Sequence, residues 1–264
     1  MNAGLVAITG AARGIGEALA REAVSRGHRV ALFDRDEAAL ELLRARLGPD
    51  QCVICAGDVT SDSDLTRFKT LITSQADPLR MVFANAGILR AGEVLGLEIA
   101  ELEQMFAVNV FGTIRTAQSL VPLMQAQAQA EASVFVVTGS TSMLSAGAGF
   151  GGYAASKHAL LALTEALDAE LKRAGSPVRA ALLCPAAVQT GIAEGSSDLL
   201  GKLRRRMTTH GITPDQMARI AFDELAKGLS VVFSSEASKA VAQYRLQALL
   251  SGSFMNSRTG PETG

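Results

Sequence analysis

The stretch Leu5–Gly16, LVAITGAARGIG, decides the fold of this protein. Its first part, Leu5–Thr9, is a short apolar run of the kind found in strands that are buried on both faces. Glycines follow at Gly10, Gly14 and Gly16, and the pattern of an amphipathic helix begins among them. Such a turn lets phosphate oxygens approach backbone N–H groups at the positive end of a helix. The stretch therefore predicts a βα unit that binds a dinucleotide.

The glycine spacing of this turn differs from the general dinucleotide fingerprint. It is G-x-x-x-G-x-G, whereas the general pattern is G-x-G-x-x-G. We expect Gly10 to permit the turn, Gly14 to permit close approach of a phosphate, and Gly16 to permit tight packing of the helix on the sheet. Three glycines can also form a turn without a ligand, but their position between strand and helix favours phosphate binding.

An acidic residue ends or follows each of the next two predicted strands. Asp34 lies 24 residues after Gly10, where a carboxylate accepts hydrogen bonds from ribose hydroxyls and repels a 2′-phosphate. We therefore expect NAD in preference to NADP. Arg13 and Arg35 leave NADP open, because either guanidinium can pair with a phosphate. Asp58 follows the third strand, and we expect its side chain to meet the adenine amino group.

Short apolar runs alternate with longer helical patterns along the whole chain. The predicted strands are Leu5–Thr9, Arg29–Phe33, Cys52–Ala56, Met81–Ala84, Val134–Thr138, Arg179–Cys184 and Ser230–Phe233. The predicted helices are Gly14–Arg26, Glu37–Leu47, Ser61–Gln75, Ile99–Ala130, Tyr153–Ala174, one that starts at Thr213-Pro214, and Glu236–Leu250. This alternation predicts an α/β protein with a doubly wound Rossmann fold, a seven-stranded, mostly parallel sheet with helices on both faces.

No change of composition separates a second core, so we expect a single Rossmann-type domain over residues 1–250. Residues 191–211 are polar and glycine-rich and predict a mobile loop or short helices around the substrate. Within them, Arg204–Arg206 is expected to be a solvated face, with binding of an anionic substrate as the alternative. The tail, residues 251–264, is expected to be flexible. Cys52 and Cys55 have metal-ligand spacing but lie on a predicted strand, where they face opposite ways.

Composition excludes several classes of protein. The 264 residues carry 25 Lys plus Arg and 26 Asp plus Glu, a net charge of -1. This balance gives no general reason to bind nucleic acid or an anionic membrane. No apolar run approaches the roughly 18 residues of a membrane span, and the N-terminus lacks the basic region of a secretory signal. Three cysteines cannot all pair with one another, which favours a reducing, cytoplasmic location.

Tyr153 and Lys157 form the pair of residues that points to chemistry. They are four residues apart and share one helix face. A free tyrosine has a pKa of about 10, and a nearby ammonium favours the phenolate and lowers that pKa. Ser140 ends a buried strand thirteen residues before Tyr153. The glycine-rich residues 147–152 would let the chain fold back and bring the hydroxyl to the phenol.

In this order and spacing, the motifs resemble those of the classical short-chain dehydrogenase/reductase (SDR) family. The motifs that carry the resemblance are Thr9–Gly16, Asp58, Asn85-Ala86-Gly87, Asn109, Ser140, Tyr153 with Lys157, and Pro185–Thr190. The resemblance implies that Tyr153 exchanges a proton with the substrate oxygen and that Ser140 orients and polarises this oxygen. It also implies that Lys157 binds the nicotinamide ribose and tunes Tyr153. Asn109 would hold a water that extends the proton relay from Lys157.

The cofactor site follows from the turn and the resemblance together. The residues assigned to it are Gly10, Arg13, Gly14, Ile15, Gly16, Asp34, Arg35, Asp58, Val59, Asn85, Ala86, Gly87, Tyr153, Lys157, Pro185, Val188 and Thr190. Val188 and Thr190 would contact the nicotinamide carboxamide. A base at the alcohol oxygen and a hydride acceptor over the carbon are sufficient for the reaction, so no metal is required.

The expected activity is an NAD(P)-dependent oxidoreductase that transfers a hydride between nicotinamide and a secondary alcohol or ketone. Residues 89–95, 142–150 and 191–211 offer mostly small and apolar side chains, which favours a hydrophobic small molecule. An NADPH-dependent ketoreductase is the first alternative. A catalytically silent dinucleotide-binding sensor or scaffold is the second, and dehydratase or epimerase chemistry is the third.

Two positions depart from the family pattern. The family usually has Pro-Gly after the sixth strand, whereas this chain has Pro185-Ala186. The extra methyl lies where the backbone would pass close to the nicotinamide. The glycine pair that commonly follows the last strand is also missing. In many relatives this end builds an interface of a tetramer, so we expect a homodimer through the long helices, with a tetramer as the alternative.

Overall fold

Seven strands and nine α-helices are found in the parts of the chain that the computed structural model describes, residues 3–127, 133–195 and 197–254. The strands are β1 (Leu5–Thr9), β2 (Arg29–Asp34), β3 (Cys52–Ala56), β4 (Leu79–Ala84), β5 (Ser133–Thr138), β6 (Val178–Cys184) and β7 (Val231–Phe233). The helices are α1 (Gly14–Ser25), α2 (Glu37–Leu47), α3 (Asp62–Thr73), α4 (Ile99–Phe106), α5 (Gly112–Gln127), α6 (Gly151–Arg173), α7 (Asp198–His210), α8 (Pro214–Ala226) and α9 (Glu236–Leu250).

The strands form one sheet in the order β3-β2-β1-β4-β5-β6-β7. Every neighbouring pair is parallel. The direction of winding reverses between β1 and β4, so a crevice opens outside the carboxyl ends of these strands. The doubly wound α/β fold predicted from the sequence is confirmed, and the predicted strands differ from the observed ones by at most two residues at an end.

Two hydrophobic clusters cover the two faces of the sheet. One contains Leu19 of α1, Leu40 of α2 and Phe222 of α8. The other contains residues of α3, α5 and α6, and both include side chains from the central strands. Because both faces are buried, the strands carry apolar residues at nearly every position. Cys52 belongs to the first cluster and Cys55 packs against the second, so the two thiols face opposite sides as predicted.

The predicted helix Ile99–Ala130 is interrupted. The structure has α4, a single π-helical turn at Ala107–Phe111, and then α5. Residues 128–130 of the prediction lie outside the described residues. A π turn inserts one extra residue into an α-helix and is common at functional sites. Sequence periodicity does not reveal it, because the flanking helices run on without a capping signal.

Of the two alternatives predicted for residues 191–211, a mobile loop or short helices, the described residues form helices. A 3₁₀ turn at Gly191–Ala193 is followed by the thirteen-residue helix α7. The Ser197 side chain caps α7 by accepting a hydrogen bond from the N–H of Leu200. Leu200 and Met207 are buried, so α7 is held by an apolar face and is not a loop. Of the predicted flexible tail, residues 255–264 lie outside the described residues.

No helix in the described ranges combines the length and the hydropathy that a membrane span needs.

Candidate active site

The glycine turn after β1 forms a backbone cradle at the reversal of the sheet. Gly10 and Gly14 have φ values of +63° and +59°, which favour glycine. A Cβ atom on Gly16 would lie 2.0 Å from the carbonyl oxygen of Gly10, so no side chain fits there. The side-chain amide of Asn85 donates hydrogen bonds to the carbonyl oxygens of Thr9 and Gly10, at 3.2 and 3.1 Å. These bonds join the end of β4 to the turn that precedes α1.

Asp34 lies at the outer end of this cradle and is oriented by backbone groups. Its carboxylate accepts hydrogen bonds from the N–H groups of Ala12 at 3.0 Å and Asp36 at 3.1 Å. Arg13, which precedes α1, forms an ion pair with the carboxylate of Asp36 at 2.5 Å. Arg13, one of the two arginines considered as partners of an NADP 2′-phosphate, is therefore paired with a carboxylate of the protein.

Asp58 and Arg35 form a second charged pair on the same side of the cleft. Their side chains approach to 3.8 Å. Oδ1 of Asp58 also accepts hydrogen bonds from the N–H and the hydroxyl of Thr60, at 2.8 and 2.7 Å. Val59 is buried between this turn and the second hydrophobic cluster. Three carboxylates and two guanidiniums therefore meet at this end of the cleft, with one net negative charge.

Ser140, Tyr153 and Lys157 meet at the carboxyl end of β5. Ser140 follows the strand, and its hydroxyl accepts a hydrogen bond from the N–H of Ser142 at 3.1 Å. The Ser140 side chain lies close enough to Tyr153 to lower the pKa of its phenol. Lys157 lies one turn further along α6 and donates to the carbonyl oxygen of Thr138 at 2.9 Å. Its Nζ is 5.7 Å from the centre of the Tyr153 ring.

Burial shifts the pKa values of Tyr153 and Lys157. It raises the pKa of Tyr153 to about 12, and the Ser140 side chain opposes that shift. Burial also lowers the pKa of Lys157 to about 8. The sequence predicts that the ammonium lowers the pKa of the phenol. In the structure the pKa of Tyr153 instead shifts upward, because burial removes the hydration of the phenolate.

Asn109 lies in the π turn behind the cleft. Its Oδ1 accepts a hydrogen bond from the N–H of Ile88 at 2.8 Å. Its Nδ2 donates to the Ile88 carbonyl and to the Ser156 hydroxyl, both at 3.0 Å. Ser156 precedes Lys157 and donates in turn to the carbonyl oxygen of Tyr153 at 2.7 Å. Both N–H groups of the amide are thus used within the protein, so the side chain braces α6 against the loop after β4.

Pro185, Val188 and Thr190 follow β6 on the opposite wall. Val188 is buried and pairs with Ile212 in a parallel bridge. A Cβ on Gly14 would lie 3.1 Å from the Thr190 methyl group, so this segment closes against the glycine turn. Among the described residues only glycines have positive φ, so the alanine at position 186 is compatible with its backbone conformation.

One cleft of about 1010 Å³ contains these groups. Of the residues assigned from the sequence, it is lined by Gly10, Arg13, Gly14, Ile15, Asp34, Arg35, Asp58, Val59, Asn85, Ala86, Gly87, Ser140, Tyr153, Lys157, Pro185, Val188 and Thr190. Gly16 and Asn109 lie behind its wall. The cleft thus runs from the charged end, past the glycine turn, to Tyr153.

The family model described as short chain dehydrogenase matches residues 4–199 of this chain. The chain belongs to the short chain dehydrogenase family. A curated relative, the 1-deoxy-11-beta-hydroxypentalenate dehydrogenase of Streptomyces exfoliatus, is 33% identical over 71% of this chain and 68% of its own length.

Two solved members of the family resemble the fold. A short chain dehydrogenase/reductase from Burkholderia phymatum, in complex with NAD, has a TM-score of 0.90 at 26% identity and covers 97% of each chain. The alcohol dehydrogenase of the archaeon Thermococcus sibiricus, complexed with 5-hydroxy-NADP, has a TM-score of 0.74 at 26% identity and covers 88% of this chain and 95% of its own. A nicotinamide dinucleotide is therefore the cofactor type of this short chain dehydrogenase.

The residues present fit such a cofactor. Gly10 of the glycine cradle and Gly14 and Ile15 at the start of α1 line the cleft, where the positive end of a helix suits a phosphate. At its inner end, the buried Thr138 hydroxyl has no hydrogen-bond partner among the described residues, and it lines the cleft beside Lys157. An unsatisfied buried hydroxyl next to an ammonium suits a polar ligand such as a sugar hydroxyl. The described residues contain no group of three His, Cys, Asp or Glu suited to holding a metal ion.

The sequence does not single out several residues that line this short chain dehydrogenase cleft, although Arg90 and the α7 residues fall within the ranges 89–95 and 191–211 predicted for the substrate side. They are Asp36 and Arg90, the α7 residues Leu203, Arg206, Met207 and His210, and the residues after β7, Ser234, Ser235, Ala237, Ser238 and Val241. The α7 set has the i, i+3, i+4, i+7 spacing of one helix face, which agrees with short helices as one of the two alternatives predicted for residues 191–211. Arg204 of the basic cluster instead donates to the Gly195 carbonyl at 2.9 Å. Nothing local to the sequence indicates that the residues after β7 reach the cleft.

Proposed function

We propose that this protein is an NAD-linked short-chain dehydrogenase that oxidises a hydrophobic secondary alcohol, or reduces the matching ketone, with Tyr153 as the acid/base. The observation that carries the proposal is the meeting of Ser140, Tyr153 and Lys157 at one point of the cleft. A protein that only sensed the dinucleotide would not need a buried hydroxyl, phenol and ammonium at the far end from the charged groups.

The chain's own residues would handle the proton and the substrate oxygen. Ser140 would donate a hydrogen bond to that oxygen and orient it, while the phenolate oxygen of Tyr153 would accept the alcohol proton. A pKa of about 8 keeps Lys157 largely protonated at neutral pH. Its positive charge would favour the phenolate. A bound nicotinamide dinucleotide would supply the acceptor for the hydride that leaves the alcohol carbon.

The charges at the outer end of the cleft support NAD over NADP. Asp34 is held in place by two backbone N–H groups, which suits it to accept hydrogen bonds from the adenosine ribose. Arg13 and Arg35 are paired with Asp36 and Asp58. With one net negative charge at this end, a 2′-phosphate would add repulsion, and it could pair with Arg13 or Arg35 only by competing with Asp36 or Asp58.

The surroundings of Tyr153 support an apolar substrate. Tyr153 belongs to a third hydrophobic cluster with Leu89, Met105 and Met207. Phe150, Ile192 and Leu203 pack against that cluster. A ligand that fills this end of the cleft would be recognised by shape and by loss of apolar surface from water. The pentalenate dehydrogenase relative suggests an alicyclic alcohol as the first compound class to test.

The proposal is tested by titrating the purified protein with NADH and separately with NADPH, following nicotinamide fluorescence. We expect NADH to bind at least about tenfold more tightly, which corresponds to about 1.4 kcal/mol. A screen of apolar secondary alcohols with NAD should then show turnover. Tighter binding of NADPH would favour a ketoreductase, and NADH binding without turnover of any alcohol or ketone would favour a silent sensor.

A further inference from the structure

The two departures from the family pattern, Ala186 and the missing glycine pair, lie in contact. Ser234 follows β7 where that glycine pair commonly stands, and its hydroxyl oxygen accepts a hydrogen bond from the N–H of Ala186 at 3.0 Å. The carbonyl of Pro185 belongs to the same peptide group. It accepts a hydrogen bond from the N–H of Thr141 at 2.9 Å. The Pro185–Ala186 peptide is therefore held at its oxygen by the residue after Ser140 and at its nitrogen by Ser234.

The hydroxyl of Ser234 is itself fixed by the first turn of α9. The Ser238 hydroxyl donates its single proton to the carbonyl oxygen of Ser235 at 2.7 Å. Ser234 and Ser238 are joined through their hydroxyl oxygens at 3.3 Å. Because the Ser238 proton is already used, Ser234 is the donor in this bond and keeps its lone pairs for Ala186. Both serines are buried, at 5% and 2% exposure, so water does not readily replace either bond.

This chain of hydrogen bonds runs along the wall of the cleft. Pro185, Ala186, Ser234, Ser235 and Ser238 all line it. In many relatives a glycine would follow Pro185, so the backbone there has more freedom than alanine allows. The methyl of Ala186 and the hydroxyl of Ser234 instead restrict the peptide to one orientation. The carbonyl oxygen of this peptide accepts the hydrogen bond from Thr141, which follows the proposed catalytic Ser140.

We propose that Ser234 is a positioning residue for the hydride-transfer reaction, acting through the Pro185–Ala186 peptide. This inference rests on the proposed function. The hydroxyl would set where the wall of the cleft lies relative to a bound nicotinamide and to Ser140. The adenosine end of the cleft lies at the ends of other strands and shares none of these bonds. Loss of the Ser234 hydroxyl should therefore lower the reaction rate without changing the affinity for the cofactor.

The test compares Ser234→Ala with Ser234→Thr, which keeps the hydroxyl, and with Ser251→Ala as a matched control. The Ser251 hydroxyl donates to the carbonyl of Ala248 at the other end of α9, away from the cleft. For Ser234→Ala we expect about a tenfold fall in kcat, less than about a twofold change in the Kd of NADH, and a larger deuterium isotope effect with a deuterated alcohol. Ser234→Thr should recover most of kcat, and Ser251→Ala should behave as the wild type.

Unchanged kcat and isotope effect in Ser234→Ala, in a protein that Tyr153→Phe inactivates, would overturn the inference and leave the proposed function standing. A Ser234→Ala variant that loses kcat only in proportion to a lowered melting temperature would also overturn it. If the wild type binds NADH but turns over no alcohol, the emission of bound NADH replaces kcat as the readout. A changed emission spectrum in Ser234→Ala at similar Kd would then support the inference, and an unchanged one would contradict it.

Discussion

Under the proposed function the cleft has an adenosine half and a substrate half, and the two are built in different ways. The adenosine half comprises residues 10–15, 34–36 and 58–59, which follow the ends of β1, β2 and β3. It is polar, and its carboxylates are oriented by backbone N–H groups and paired guanidiniums. The substrate half comprises Leu89, Phe150, Ile192, Leu203 and Met207, which come from three loops and α7. These five residues belong to the third hydrophobic cluster or pack against it, and Arg90, Arg206 and His210 line the cleft nearby.

The proposed function accounts for this difference by what each half would have to recognise. A dinucleotide has the same ribose and phosphates in every enzyme that binds it, so hydrogen-bond donors and acceptors at fixed strand ends suffice. An apolar substrate is recognised by shape, and many combinations of side chains produce a suitable shape. Tyr153 and Lys157 lie on α6 at the border between the halves. Substitutions in the two halves should therefore change different quantities.

Tyr153→Phe should have the largest effect. Removing the phenolic oxygen removes the proposed acid/base, and we expect kcat to fall by about 10²- to 10⁴-fold. The Kd of NADH should stay nearly unchanged, because the adenosine half is untouched. Steady-state kinetics and fluorescence titration measure the two quantities. The second tyrosine, Tyr244, is exposed on α9 and supplies the control Tyr244→Phe. Activity near the wild-type level in Tyr153→Phe would rule out the acid/base assignment.

Asp34→Ala should change the choice of cofactor and little else. Loss of its carboxylate removes a repulsion of the 2′-phosphate and an acceptor for the ribose hydroxyl. We expect the ratio of kcat/KM for NADP to that for NAD to rise by about 10- to 100-fold, or about 1.4 to 2.7 kcal/mol. Asp62→Ala, at the exposed start of α3, is the control. An unchanged ratio in Asp34→Ala would remove the physical basis for the NAD preference.

Leu203→Ala should act only on the substrate half. Leu203 lines the cleft from α7 and is partly buried against the cluster around Tyr153. Loss of its terminal carbons should raise KM for an apolar alcohol about fivefold, close to 1 kcal/mol. The Kd of NADH should not change. Leu246→Ala, on the exposed side of α9, is a matched control. A rise in the Kd of NADH at constant KM for the alcohol would show that Leu203 contributes to cofactor binding and not to substrate binding.

Lys157 lies at the border between the two halves, and its burial should make the free energy of unfolding depend on pH. Burial lowers the pKa of Lys157 from 10.5 to about 8. Between these values the unfolded chain binds more protons than the folded protein, so the free energy of unfolding should rise with pH, by about 1 kcal/mol per pH unit at most. Lys157→Met should lose this rise.

Urea unfolding of the ligand-free protein at pH 8 and pH 9.5 measures the effect as a difference between wild type and variant. Above pH 10 the raised pKa of Tyr153 acts with the opposite sign, because the folded protein then holds the extra proton. Lys172→Met on the same helix is exposed and should follow the wild type. Parallel pH profiles for wild type and Lys157→Met would show that Lys157 is not desolvated as its burial indicates.

The sequence could predict most of the adenosine half and the order of the strands. Residues such as Gly10, Gly16 and Asp34 follow strands directly, and the parallel topology brings all strand ends to one edge. The π turn at Asn109 could not be predicted, because it depends on hydrogen bonds to Ile88 and Ser156 from other elements. The apolar spacing of α7 is visible in the sequence, but its many polar residues and Gly201 obscure it.

By itself, the sequence determined the fold class, the glycine cradle, the placement of Asp34, and the common helix face of Tyr153 and Lys157. Each of these depends on periodicity or on residues a few positions apart, where local geometry is nearly fixed by the chain. Only the tertiary structure decided that Arg13 and Arg35 are paired with carboxylates, that burial raises the pKa of Tyr153, and that Ser234 contacts Ala186. These properties depend on charge, desolvation and hydrogen bonds between segments that only folding brings together.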